Sequence, residues 1–173
     1  MNSSKPLRFG SGRLALTPLL LRSVIGGTLI AHGVKHGRSL DGTAQWFESI
    51  GFRSPRLQAR ASAVVEVGAG IALVAGAATP IAAAAVIGTM AVAARSVHMT
   101  HGFFITSEGW EYVTNLAVAS VALAGIGPGW WSVDRALGWD NWRGDHAAAT
   151  AIGIGITSAA AQLAFFYKSP ADV

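Results

Sequence analysis

The sequence predicts an all-α integral membrane helix bundle, with a four-helix core and a fifth, C-terminal transmembrane helix. Two observations lead there. The chain is 51% hydrophobic and only 13% charged, with a mean hydropathy of +0.43, whereas a soluble domain carries about 25% charged residues. Five apolar segments of near-spanning length also recur along it, each close to the roughly 20 residues that a bilayer crossing takes. The 21 glycines fit the same class, because small residues let membrane helices approach closely.

The elements follow in order. Residues 1–13 form a polar N-terminal tail with Lys5, Arg8 and Arg13. The first span runs from Leu14 to His36, with Arg22 near its start. The basic tail would suit a secretory leader, but Ala31-His32-Gly33 makes a poor cleavage site, so this span is expected to be retained. Segment 38–56 is too short to cross. Its stretch Trp46-Phe47-Glu48-Ser49-Ile50-Gly51-Phe52 sets aromatics beside charges, which suits an interfacial helix capping the bundle mouth or an ordinary connecting loop. The second span, Ala59 to Ala78, contains Glu66 as its one acid. The third runs from Pro80 to Arg95 and pairs with the second as a hairpin, Pro80 suiting a first helical turn. The fourth, Tyr112 to Ile126, is ended by Gly127-Pro128-Gly129, and Ser132 or Asp134 is placed to cap a short helix after it. The core thus covers 14–138. Residues 139–173 add the fifth span, Ala147 to Tyr167, and a tail. Trp130, Trp131, Trp139, Trp142 and Tyr167 flank the last two spans, as interfacial aromatics do.

Charge and composition exclude several classes. A net charge of +4 with a pI near 10.1 suits anionic lipid. Nucleic acid is not an expected partner, because the basic residues flank apolar runs and form no stripe. With no cysteine, the chain lacks a thiolate nucleophile, disulfides and cysteine ligands for an iron–sulfur cluster.

Glu66 is the most informative residue. A carboxylate in hydrocarbon costs several kcal/mol unless it is paired, protonated or facing a polar cavity. Consider an up-and-down bundle whose N-terminal face is side A and whose opposite face is side B. At about 1.5 Å per residue, Glu66 falls near the midplane and Arg22 roughly 8–12 Å in from side A. Arg22, Gly26, Leu29, Gly33 and His36 share one stripe, so Arg22 either pairs with Glu66 across a glycine-lined face or snorkels to side A, Arg95 being the other candidate partner; Arg22 and Glu66 form the expected buried polar centre. Ser62, Glu66 and Gly70 share a face of the second helix. His32, Lys35, His36, Arg95, His98, His101, Glu108 and Glu111 gather at side B. Glu108, Glu111 and Asn115 fall on one face if the fourth helix begins early. His32, Lys35, Arg95, His98, Glu111 and Asn115 are therefore the candidates for head-group binding or proton relay. The pairs His32/His36 and His98/His101 have spacings that could face a metal or haem, but no cysteine-rich or HExxH signature supports either, and no metal is expected.

These residues also carry a resemblance. Arg22-Ser23-Val24-Ile25-Gly26, then His32-Gly33-Val34-Lys35, the Trp46-to-Phe52 stretch, Glu66 with Gly68, Gly70 and Gly76, and His98, Gly102-Phe103-Phe104, Glu111-Tyr112 and Gly127-Pro128-Gly129…Ser132…Asp134 appear in an order that resembles the DoxX/DoxD family of small membrane proteins. The resemblance implies a four-helix membrane core, residence in a bacterial inner membrane and association with oxidoreductase assemblies, with a quinone as the possible cofactor and further subunits as partners. It implies that Arg22, His32, Lys35, Glu66, His98 and Glu111 are the positions of interest. The fifth span departs from the family pattern: it places the C-terminus on side B or packs against a partner. The expected function is thus a membrane subunit of an oxidoreductase assembly with a quinone-type site. A non-catalytic scaffold or assembly factor is the alternative, and a small-solute transporter is disfavoured by the tight Gly/Ala faces.

Overall fold

The computed structural model describes residues 16–170; the N-terminal tail expected at 1–13 lies outside them. The chain forms α1 (Leu16–Arg38), α2 (Leu40–Ser49), α3 (Pro55–Ala75), α4 (Thr79–Ala93), α5 (Glu111–Ile126), α6 (Val133–Ala136) and α7 (Asp145–Phe166). A π-helical turn at Ala94–His98 and a 3-10 turn at Met99–His101 prolong α4. Four helices are long and apolar enough to cross a membrane: Leu16–Arg38, Pro55–Ala75, Thr79–His101 and Asp145–Phe166. The fold is an all-α bundle, and the protein is a multi-pass membrane protein. The fourth expected span is the one that falls short. At 16 residues, α5 covers about 24 Å against a hydrocarbon core of about 30 Å.

Small residues set the packing. α1 and α3 cross where a Cβ on Gly26 would lie 2.6 Å from the Gly70 carbonyl oxygen, and one on Gly70 would lie 2.6 Å from that of Gly26. On the other side, a Cβ on Gly155 of α7 would lie 2.8 Å from the Ala84 carbonyl oxygen of α4. α4 is the central helix and packs on α3, α5 and α7. Ile25, Leu29, Leu73, Val86, Leu116 and Leu123 fill the core between these helices.

The two ends are closed differently. At side A, Ser132 caps α6 by accepting from the Arg135 amide. Asp134 does something else: it caps α4 from across the fold. Its Oδ1 accepts from Ala78 N (2.6 Å), and its Oδ2 accepts from Thr79 N (2.9 Å) and Thr79 Oγ1 (2.7 Å). A carboxylate there meets the free amides and positive dipole end of the helix. At side B, α2 folds over the mouth of the bundle against α3, so the segment is a helical cap. α7 returns the chain to the same side, as expected, and clasps the α2–α3 turn. Arg53 N donates to Phe166 O (2.7 Å) and Lys168 N donates to Gly51 O (2.9 Å), with Phe52 and Tyr167 rings 5.2 Å apart. Gly51 has φ +99°, and a Cβ there would lie 2.0 Å from the Lys168 carbonyl oxygen, so the clasp requires glycine.

Candidate functional site

Glu66 sits halfway along α3, its backbone pressed on α1: a Cβ on Gly33 would lie 2.9 Å from Glu66 Cβ. The residue is only 4% exposed. Ser62, one turn earlier, donates its hydroxyl to Glu66 Oε1 at 2.5 Å. His36, from the last turn of α1, brings Nδ1 to 2.9 Å from Ser62 Oγ and 3.3 Å from Glu66 Oε1. With the serine proton committed to the carboxylate, Nδ1 must carry a hydrogen to make these contacts. Glu66 Oε2 is buried and has no hydrogen-bond partner among the described residues. An orphaned buried acceptor is costly, so that oxygen is the one left open to a donor from outside the cluster.

Two cavities meet there. One, of about 370 Å³, lies between α3, α4 and α7 and is lined by Gln58, Ser62, Val65, Glu66, Gln162 and Phe166 among others. The second, of about 570 Å³, lies between α1, α4 and α5, where His32, His98 and Tyr112 face the same carboxylate. His36, Trp46, Glu66, Thr89 and Ala93 border both. Trp46 and Phe47 of the α2 cap cover His36, with ring centroids 6.3 and 6.4 Å from its own. The π turn falls at the junction: Ser96 and Val97 face the first cavity and His98 the second, a local widening of the kind that recurs at functional sites.

The expected partnership of Arg22 with Glu66 does not form. Arg22 is 1% exposed and donates from Nη2 to the Trp131 carbonyl at 2.6 Å, within the electrostatic reach of Asp134. It lies level with Gly76, where a Cβ would fall on its Nη1. Glu66 is ten residues up the same helix, about 15 Å away. Arginine reaches toward side A to the Trp131 carbonyl, and its Nε and Nη1 are buried with no hydrogen-bond partner among the described residues. The buried polar centre is two centres, one at each depth.

The other candidates divide. His32 lines the second cavity and stacks on Tyr112, centroids 6.5 Å apart. His98 lines it as well, its Nδ1 bonded to the Glu108 carbonyl. Lys35 lines a shallow outer groove with Ser39 and Thr43. Glu111 accepts from Ile105 N at 3.0 Å and orders the loop before α5. Arg95 is exposed and lies 5.5 Å over the Tyr167 ring, outside both cavities. Asn115 is exposed in an outer groove between α1 and α5. It misses the mouth because α5 begins only at Glu111, while Glu108, with φ +62°, ends a separate 3-10 turn. The residues that complete the site beyond those expectations are His36, Ser62, Trp46, Thr89, Tyr112, Gln58 and Gln162. Several had a signal in the sequence: His36 gathers with the other side B histidines, Ser62 is one turn from Glu66, and Gln58 and Gln162 are uncharged polar residues inside or beside spans.

Residues 17–99, from α1 through the π turn, match the DoxX family model. Over that segment, just under half of its length, the chain is similar to the DoxX family. No curated protein and no solved structure matches it. The matched segment supplies Glu66, Ser62, His36 and the cap. The second cavity's Tyr112 and the first cavity's Gln162 and Phe166 come from helices after it.

Proposed function

We propose that this protein is a membrane subunit of an oxidoreductase assembly in a bacterial inner membrane and that the Glu66 cavity holds the head group of a quinone-type molecule. The observation that carries the reading is Glu66 itself: a residue that lines two cavities, with one oxygen held by Ser62 and His36 and the other buried and unpartnered among the described residues. A free carboxylate oxygen is an acceptor for a quinol hydroxyl, and the apolar walls suit a ring. Reducing a quinone to a quinol takes up two electrons and two protons. The electrons are assigned to a partner subunit. The protons are assigned to Glu66 and His36, with His32 and His98 between them and side B; an intramembrane carboxylate beside an imidazole is suited to that relay.

The test uses the full chain purified from native membranes into lipid nanodiscs, with bound quinone extracted and quantified. Glu66→Gln should lower the retained quinone about tenfold or more, the loss of one charged hydrogen bond, while the bundle melts normally. Equal retention by the parent and Glu66→Gln would sink the reading. So would Glu66→Gln lowering bundle stability or partner recovery with no redox change, which is the behaviour of a scaffold.

A further inference from the structure

The two cavities around Glu66 differ in chemistry. The one between α1, α4 and α5 carries the titratable side chains His32, His98 and Tyr112. Among the described residues, the one between α3, α4 and α7 carries no ionisable group besides the shared Glu66 and His36. Besides the hydroxyls of Ser62, Thr89 and Ser96 it carries two amides: Gln162 Nε2 of α7 donates to Gln58 Oε1 of α3 at 2.8 Å. Gln58 is 4% exposed, so this pair is built into the wall. Each amide spends one group on the other and keeps the remaining one for a ligand.

The surroundings of that cavity suggest how a ligand arrives. α3 and α7 flank it yet hardly pack on one another, while α7 packs along α4 and α5. The amide pair, Phe166 and the Gly51–Lys168 clasp join α3 and α7 at the side B end only. Ala61, Leu57 and Val65 line the cavity and are also exposed on the outer surface of α3. In a membrane protein that surface faces acyl chains. A crevice that runs from lipid to a buried carboxylate, past an amide pair, has the polarity gradient of a single-chain amphiphile.

We infer that α7 completes a lateral entrance between α3 and α7 for an amphiphile with one apolar chain, whose head passes the Gln58–Gln162 pair to reach Glu66. The chain stays in the crevice along Ala61 and Val65. Gln162 and Phe166 are then specificity-determining residues contributed by a helix outside the family-matched segment. The histidine-lined cavity on the other side of Glu66 is left for protons. The inference rests on the reading that the Glu66 cavity is a ligand site.

The experiment measures binding of a decyl-tailed benzoquinol and of its tail-less counterpart to the full chain in nanodiscs. Ala61→Trp, which fills the crevice, should weaken the tailed compound about tenfold and leave the tail-less one unchanged. Gln162→Leu should weaken both, because it removes a contact to the head. Val24→Trp, placed in the outer groove between α1 and α5, should change neither. The entrance is overturned if Val24→Trp rather than Ala61→Trp discriminates by tail, or if Gln162→Leu leaves both unchanged. If the parent protein binds neither compound, the quinone reading fails on its own. The entrance is then decided by native mass spectrometry of co-purified lipids: an amphiphile retained by the parent and lost in Gln162→Leu supports it, and no retained amphiphile overturns it.

Discussion

Replacing Asp134 by Asn should cost this protein several kcal/mol, although the residue lies far from the cavity. Its carboxylate is 2% exposed and accepts three hydrogen bonds from the start of α4, the central helix of the bundle. Asparagine keeps one acceptor oxygen and turns an NH2 group toward donors on the other side. At least one of the buried donors of Ala78 and Thr79 is then unpaired and faces a second donor. Hydrogen bonds to a charged acceptor are each worth about 1.5–3 kcal/mol, and loss of the charge at the helix N-terminus removes about 0.3–1 kcal/mol more. The expected loss is about 3–4 kcal/mol for Asp134→Asn, and about 1–2 kcal/mol for Thr79→Ala, which deletes one donor with its partner intact. Equilibrium unfolding in mixed SDS micelles, followed by circular dichroism, reads these differences. Asp140→Asn is the control. Asp140 pairs with the half-exposed Arg135 at 2.7 Å, a kind of contact worth about 0–1 kcal/mol. An Asp134→Asn protein within about 1 kcal/mol of the parent would refute the reasoning, because the α4 amides would then not depend on that carboxylate.

Further expectations follow from other contacts. Gly70→Ala should destabilise by about 1–3 kcal/mol in the same unfolding assay, since its Cβ meets carbonyl and amide atoms of α1, whereas Gly27→Ala, with nothing within 4 Å, should be neutral. Gly51→Ala should release the clasp between the cap and the end of α7, seen as faster protease cleavage between Gly51 and Pro55 with α3 and α4 still protected. Arg22→Ala should lower stability by about 2–4 kcal/mol but leave ligand binding at Glu66 unchanged, because its partner is the Trp131 carbonyl. Were Arg22→Ala to weaken binding as strongly as Glu66→Gln, the separation of the two buried centres would be wrong.

The helices and the depth of Glu66 were legible because hydropathy and the 1.5 Å rise need only local sequence. The gathering of His32, His36 and His98 at one end was legible for the same reason, since helix direction alternates along the chain. The partner of Arg22 was not. Its stripe on α1 points at α3, but at that level α3 has already reached Gly76 and has passed Glu66 by ten residues. The acceptor is a backbone carbonyl of a turn that follows α5, and no side-chain pattern announces a carbonyl. The position of Asn115 failed on a boundary: a left-handed residue at Glu108 separates the loop from α5, so the helical spacing assumed across them does not exist. Local sequence offers Asp134 as a cap for the short helix that follows Ser132, whereas it caps α4, because caps are usually local and this one acts over 55 residues of sequence. The amide pair Gln58–Gln162 spans 104 residues and depends on where α7 docks, which is set by the Gly88 and Gly155 contact surfaces.

The decisive question is whether the free oxygen of Glu66 meets a ligand. Infrared difference spectroscopy of the protein in nanodiscs, before and after addition of a tailed quinol, observes that group directly. A carboxyl or carboxylate band that shifts on binding, and is missing from Glu66→Gln, is the predicted result. A ligand that binds with the Glu66 bands unmoved, or that binds Glu66→Gln as tightly as the parent, would contradict it.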